Sequence, residues 1–417
     1  MASHDSGRFR MSRPGAKTIT NADIAELLAQ EALTAKMPAQ KALRRASRRA
    51  LFWGEEAADI HQQGRSLTEL TAVGPYIARL ISGWIEESPE VPEAPDIRRG
   101  FLTLTEARAI LISNPGWLPQ NLSASTGNSP RRKTPSRVGK SLGNPRGDTT
   151  DGLIKGDLQM HTTWSDGEGT IAEMAAAALE RGYEYIAITD HSKGLKIAGG
   201  IDEVQLRRQE EEIAEVNEGF RRSGRKFVVL RSIELNLNPR GEGDMEQSCF
   251  PHLDIVLGCF HSSLRTKEDQ TARYIAALRN PAIQILGHPR GRVYNFRLGL
   301  TAEWEDVFDE AARLDKAVEI DGYPDRQDLN VDLLHIARKA GCRISLGTDS
   351  HGADQLALME YSAAAALQAG IRRDRILNFM GVDELLGWVQ QVREGMSRKM
   401  FSPRRHGVAQ ERQAGSW

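Results

Sequence analysis

Seven residues able to hold a metal recur at comparable places in the chain: His161 in GDLQMH, His191 in AITDHSK, Glu234 in RSIEL, His261 in GCFHSS, His288 in LGHPRGR, and Asp349 with His351 in GTDSH. Each closes a short apolar, β-branched run and is therefore expected at the C-terminal end of a strand. Five of the ten histidines in the chain fall at such ends. Imidazoles and carboxylates converging from several strands on one mouth point to a multinuclear metal site. Two cations bridged by a carboxylate can activate a shared water and clamp both oxygens of an in-line displacement at phosphorus, so phosphate ester hydrolysis is the chemistry implied. Lys193, Arg290, Arg292 and Arg326 follow strand ends directly, where a cation could hold a substrate phosphate. His4, His61, His252, His335 and His406 are given no role. One position breaks the pattern. A strand beginning at Ile154 sends Asp157, Gln159 and His161 to one face, and Gln159 stands where a second imidazole would complete a pair. An amide oxygen is neutral and a poorer donor to zinc, so it is expected to weaken the first metal or shift it toward Mn²⁺.

The elements that must position these residues follow from apolar periodicity. Residues 153–395 alternate strand and helix seven times, with strands LIKGDLQMH, YEYIAITDH, KFVVLRSIEL, LDIVLGCFH, IQILGHP, AVEIDGY and CRISLGTDSH. This is an α/β pattern with a parallel sheet, and its length suits a barrel whose functional residues lie at the C-terminal edge. Residues 19–87 read as helices. NADIAELLAQEALT has Asn21 as its N-cap candidate. PAQKALRRASRRALFW carries Lys41, Arg44, Arg45, Arg48 and Arg49 as a stripe opposite Leu43, Ala46, Ala50 and Leu51, either a solvated face or one turned to phosphates. SLTELTAVGPYIARLISGWIEE reads as a helix-hairpin-helix with Gly74 at the hairpin and Ala72 where a first glycine is usual; its backbone N–H groups would take a DNA phosphate. Residues 88–152 read as a linker: a Pro-rich PEVPEAPDIRRG, one short helix in FLTLTEARAILISNPGW, then a basic disordered tether. Residues 1–18 and the basic tail 396–417 are expected to be disordered. Net charge is −1, and Cys249, Cys259 and Cys342 are scattered without a CxxC, as reduced thiols would be. No apolar run reaches a membrane span and no secretory leader is apparent, so a cytoplasmic location is expected, with no membrane contact and no obligate protein partner.

These segments resemble the PHP (polymerase and histidinol phosphatase) family, specifically the domain at the C-terminus of bacterial family X DNA polymerases. GDLQMHTTWSDG, YIAITDHSK, KIAGG, SIEL, FHSS, LGHPRGR, EIDGYPDR and GTDSH carry the likeness over residues 153–390. The resemblance implies a distorted seven-stranded β/α barrel preceded by a small all-α helix-hairpin-helix domain. It also implies two or three divalent ions (Mn, Zn or Fe). The first would use residue 159, His161, Glu234 and Asp349; the second Glu234, His261 and His288; the third Asp166, His191 and His351. Asp349, Glu234 and His161 would be catalytic, with hydroxide attacking phosphorus. The helical N-terminus is similar to the DNA-binding domain of the same polymerases, but GPYIARLISGW lacks the lysine of a Schiff-base lyase. Residues 100–152 hold only Glu106, Asp148 and Asp151 as acids, so no polymerase activity is expected. The leading expectation is a metal-dependent phosphoesterase acting on DNA, single-stranded or with 3′ ends, as a 3′–5′ exonuclease or 3′-end phosphatase or phosphodiesterase in DNA repair. The alternatives are a small-molecule phosphatase resembling histidinol-phosphate phosphatase, or a non-catalytic DNA-binding protein weakened by Gln159.

Overall fold

The computed structural model describes residues 18–119 and 153–401, the side chains of 397–401 excepted; residues 1–17, the basic tether and the tail beyond Phe401 lie outside the described residues. The helical unit begins with α1 (Asn21–Thr34). Its N-cap is Thr20 rather than Asn21: the Thr20 side chain accepts from the Asp23 N–H, and the Asp23 carboxylate receives the Thr20 N–H. Such a reciprocal box satisfies two N-terminal donors that a lone Asn could not. Asn21 is buried instead, accepting from the Ala57 N–H and donating to the Glu55 carbonyl. Helix α2 (Ala39–Ala50) buries Leu43, Ala46, Ser47 and Ala50 and leaves Arg44, Arg45 and Arg48 exposed. After α3 (Ala57–Gln62), a 3-10 turn at Leu67–Glu69 leads through Ala72, at φ +68°, to Gly74 and α4 (Pro75–Glu87). Ile24, Leu28, Leu43, Trp53, Ile60, Ile77 and Ile81 form the core of this unit.

Residues 88–119 do not behave as a free linker. Helix α5 (Leu104–Ile112), capped by Thr103 and Glu106, packs Ala107 against Tyr361 and Ala364. Trp117 enters the main core, and its carbonyl accepts from the Ile154 N–H at 2.8 Å. The Pro-rich composition reported a lack of periodic structure, not a lack of packing.

The α/β unit runs β1 (Gly156–Asp157), α6 (Ile171–Glu180), β2 (Tyr185–Ile188), α7 (Glu203–Arg222), β3 (Val228–Arg231), β4 (Glu234–Asn236), β5 (Leu257–Cys259), α8 (Thr271–Arg279), β6 (Ile285–Leu286), α9 (Trp304–Arg313), β7 (Ala317–Asp321), α10 (Val331–Ala340), β8 (Arg343–Gly347), α11 (Met359–Gln368) and α12 (Val382–Phe401). All ladder pairs are parallel, in the orders β1-β2-β3 and β4-β5-β6-β7-β8. Ser232 and Ile233 split KFVVLRSIEL, expected as one strand, into β3 and β4. Isolated parallel bridges then join the two sheets, His191↔Glu234 from beyond the end of β2 to β4, and Met160↔Ser350 from beyond β1 to beyond β8. A second apolar cluster of Leu158, Tyr185, Leu230, Leu257 and Ile285 is covered by Leu385, Trp388 and Val389 of α12. That helix extends past the expected boundary at residue 396, because SRKMF contains no helix breaker. Cys249, Cys259 and Cys342 are free and buried. Among the described residues, no helix is long and apolar enough to cross a membrane.

Candidate metal centre

The loops leaving the C-terminal ends of the strands converge on one buried carboxylate. Glu234, the first residue of β4, is fully buried. Its Oε1 lies 2.7 Å from His261 Nε2 and 2.8 Å from His288 Nε2, and its Oε2 lies 3.2 Å from His161 Nε2 and 3.5 Å from His191 Nδ1. His161 Nε2 is also 3.0 Å from Asp349 Oδ1. On the outer side, Asp166 Oδ1 stands 3.5 Å from His351 Nε2, 3.6 Å from His191 Nε2 and 4.0 Å from His161 Nδ1. Ligand atoms lie within 4.8 Å of one another in four overlapping groups: His161/Glu234/Asp349, His191/Glu234/His261, Glu234/Cys259/His288 and His161/Asp166/His191/His351. All the histidine and carboxylate residues expected as ligands are brought together. His191 borders both the inner and the outer groups. Cys259, the last residue of β5, was missed by sequence reasoning, although it lies only two residues before His261.

Supporting contacts orient these groups. His261 Nδ1 meets Asn236 Oδ1 at 3.1 Å, and His351 Nδ1 meets the Asp349 carbonyl at 2.8 Å. Fixing one ring nitrogen sets the direction of the other. Asp349 itself sits at φ +52°, a left-handed conformation that Asp tolerates better than most residues. Buried Asp190 accepts from the Thr162 N–H at 2.8 Å and from Gln209 Nε2 at 2.6 Å, bracing the loop that carries Asp166.

The electrostatics follow from burial opposed by unlike charge. Burial alone would raise Glu234 and Asp349, but the surrounding imidazoles for Glu234, and Arg326 with His161 for Asp349, hold both carboxyls well below the usual range. Burial drives His191 down to about 3, whereas for His288 the Glu234 charge overcomes burial and pushes it up to about 10. Burial also raises the Cys259 thiol well above its ordinary value, with the Glu234 and Glu319 charges adding to it.

A metal fits this donor set. Gln159 Oε1, His161 Nδ1 and His191 Nδ1 are buried without a hydrogen-bond partner among the described residues. Unpartnered buried acceptors are rare and unfavourable, and their concentration beside carboxylates matches what a cation would satisfy. Imidazole nitrogens and carboxylate oxygens suit a first-row divalent ion.

Residues 157–323 match the PHP domain family. The chain carries a PHP domain. It is 33% identical over 241 residues to the DNA polymerase/3′-5′ exonuclease PolX of Bacillus subtilis, a match covering 58% of this chain and 42% of the polymerase. It is 29% identical over 206 residues to a probable phosphatase of Photobacterium profundum, covering 47% of this chain and 77% of that protein. A probable phosphatase of Thermoanaerobacter is 28% identical over 235 residues, covering 53% of this chain and 89% of its own. The chain thus spans less than half the length of the polymerase and most of the length of the phosphatases. A histidinol phosphate phosphatase from Lactococcus lactis, solved with zinc, L-histidinol and phosphate, superposes with a TM-score of 0.39 at 20% identity, covering 53% of this chain and 95% of that one.

Of the four cations expected near substrate, Arg326 reaches the PHP centre. Its guanidinium bonds Asp349 Oδ2 and lies 4.0 Å from Asp321 Oδ2, with the side chain 35% exposed. The other three are engaged elsewhere. Lys193 pairs with Glu203 at 2.6 Å. Arg290 donates to the Leu298 and Leu300 carbonyls at 3.0 and 3.4 Å. Arg292 is buried, donates to the carbonyls of Arg326, Arg99 and Gly100, and stacks 3.7 Å from the Phe101 ring centroid. Arg290 and Arg292 therefore brace loops and the 88–119 segment, because nearness to a strand end does not fix where a long side chain points. The stripe Arg44, Arg45, Arg48 and Arg49 lies across a cleft from Tyr294–Phe296 of the PHP domain, and Gly74 is exposed at the start of α4.

Proposed function

We propose that the protein is a metal-dependent phosphoric ester hydrolase acting on DNA ends, as a 3′–5′ exonuclease or a 3′-end phosphatase or phosphodiesterase. One observation carries this reading: four imidazoles converge on the single Glu234 carboxylate, with Asp349 and Asp166 alongside and buried acceptors left unpaired among the described residues. Two or three divalent ions (Mn, Zn or Fe) held by Gln159, His161, Glu234 and Asp349, by Glu234, His261 and His288, and by Asp166, His191 and His351 would activate water and neutralise charge at phosphorus. Glu234 supplies one carboxylate common to the inner groups, and His161 is pinned between Glu234 and Asp349. Arg326, anchored on Asp349 and partly exposed, is placed to hold a phosphate oxygen of the substrate. On this reading the joined sheets form the distorted seven-stranded barrel, and the unit 19–87 is a helix-hairpin-helix DNA-holding domain in a cytoplasmic protein without polymerase or lyase activity. The DNA assignment is supported by the name of the Bacillus subtilis relative and by the exposed arginines of α2. A second reading, a small-molecule phosphatase, is favoured by the probable phosphatases whose length this chain mostly covers.

The test is Mn²⁺-dependent degradation of 3′- and 5′-labelled single-stranded DNA. Asp349→Ala is expected to reduce the rate by at least about a hundredfold, since even outer-shell partners of metal ligands are worth about ten- to a hundredfold. Cleavage that persists in Asp349→Ala would sink the proposal. Turnover of a phosphate monoester with no cleavage of DNA would transfer it to the second reading.

A further inference from the structure

The arginine stripe of α2 is one wall of a cleft of about 400 Å³; Tyr294, Asn295 and Phe296 of the PHP domain form the other. The walls are fixed relative to each other. Ser47 Oγ and Tyr294 OH are 3.0 Å apart, the Asn295 N–H donates to the Ile97 carbonyl at 3.1 Å, and Arg98 donates to Asn295 Oδ1 at 3.1 Å. Phe296 is 55% exposed, with the Arg265 guanidinium 4.7 Å from its ring centroid. Among the described residues Arg44 and Arg45 have no carboxylate partner, while Arg48 meets Asp325 at 3.3 Å. Asp325 accepts the Tyr294 N–H at 2.7 Å through its carbonyl and directly precedes Arg326, which reaches Asp349. The cleft and the metal centre therefore share one loop.

Like charges gathered in a cleft repel one another unless an anion enters, and an exposed aromatic ring beneath a guanidinium is a surface for another flat π-system. A polynucleotide single strand offers both, phosphates at regular spacing and bases free to stack. A duplex hides its base faces, and the cleft has room for a nucleotide or two. We propose that this composite cleft binds single-stranded nucleic acid, with phosphates on Arg44 and Arg45 and a base on the open face of Phe296, and delivers the strand along the 323–326 loop to the PHP centre. The destination rests on the hydrolase reading; the binding surface does not.

Fluorescence anisotropy of the full chain in chelator, with labelled oligothymidylate and oligouridylate of about twelve nucleotides, separates the two. Arg44→Glu/Arg45→Glu is expected to weaken binding at least about tenfold and to reduce the slope of log K against log salt by roughly 1.4, two phosphates at about 0.7 each. Phe296→Ala is expected to weaken binding about tenfold with the slope unchanged. Arg44→Lys/Arg45→Lys restores most of the slope, and unchanged melting temperatures show that the variants fold. Equal loss for both oligomers assigns the cleft to the shared backbone-and-base chemistry, and loss for one alone names DNA or RNA. Wild-type binding by the Glu and Ala variants overturns the proposal, as does a blunt duplex that binds as tightly as the single strand. Variant-sensitive binding in chelator, with no DNA hydrolysis in Mn²⁺, keeps the binding surface and overturns the delivery step together with the reading of the protein as a hydrolase of DNA ends.

Discussion

Gln159 decides what the inner metal position can be. Its amide Nε2 lies 3.3 Å from Glu234 Oε2, while its Oε1 is buried with no partner among the described residues. A buried unsatisfied carbonyl of this kind costs about 1–3 kcal/mol, which a cation would remove. Gly347 helps admit the side chain, since a Cβ there would stand 2.8 Å from Gln159 Cβ. Replacing the amide oxygen by an imidazole nitrogen puts a better zinc donor beside His161. Gln159→His is therefore expected to hold its first metal about tenfold more tightly, about 1.4 kcal/mol, and to move the preference from manganese toward zinc. Metal content after dialysis against graded chelator measures both effects. Retention identical to the wild type would mean that residue 159 does not touch the metal.

At the scale of the elements, the strand ends were legible and the connections were not. A histidine or carboxylate closing an apolar β-branched run stands out, and His161, His191, Glu234, His261, His288 and Asp349 converge accordingly. Cys259 did not stand out, because a thiol inside LDIVLGCF looks like any core residue. The strap at residues 88–119 escaped because its anchors, such as the Gln327 side chain on the backbone of Leu102, join positions far apart in sequence. Lys316, just before β7 and thus at the end of that strand remote from the ligands, was equally unreadable: it is fully buried and donates to the Asn280 carbonyl at 2.6 Å. Burial lowers its pKa from 10.5 to about 7. Between those values the unfolded chain binds the proton that the folded chain has released, so this group makes stability rise with pH across that window. The slope is at most about 1.4 kcal/mol per pH unit. Lys316→Met should flatten the difference in unfolding free energy between pH 7 and pH 10. Parallel denaturant curves for the two proteins over that range would show that the lysine stays protonated in the fold.

The molecule as a whole is welded across the strap, and that weld is what gives the cleft a fixed width. Arg98 from the strap makes two 2.7 Å bonds to Glu26 of α1, with both side chains 6% exposed, and a third bond to Asn295 of the PHP domain. Further along, Tyr361 OH donates to the Leu51 carbonyl at 2.6 Å, and Arg108 pairs with Glu360 at 2.9 Å. A seam made of buried polar bonds holds only while every partner is present, because removing one leaves the other desolvated and unpaired. Arg98→Ala leaves the buried Glu26 charge with the Gln30 amide, 2.8 Å from its Oε1, in place of a cation, and should cost about 3 kcal/mol. Calorimetry of the wild type is expected to show one transition. In Arg98→Ala the helical unit should separate as an earlier one, with faster amide exchange in α1 and α2 and little change in the strands. Glu26→Gln/Arg98→Ala, which removes the buried charge, should recover part of the loss. A seam that merely decorates the interface would instead leave α1 and α2 as protected in Arg98→Ala as in the wild type, and the arginine wall would then owe its position to apolar packing alone.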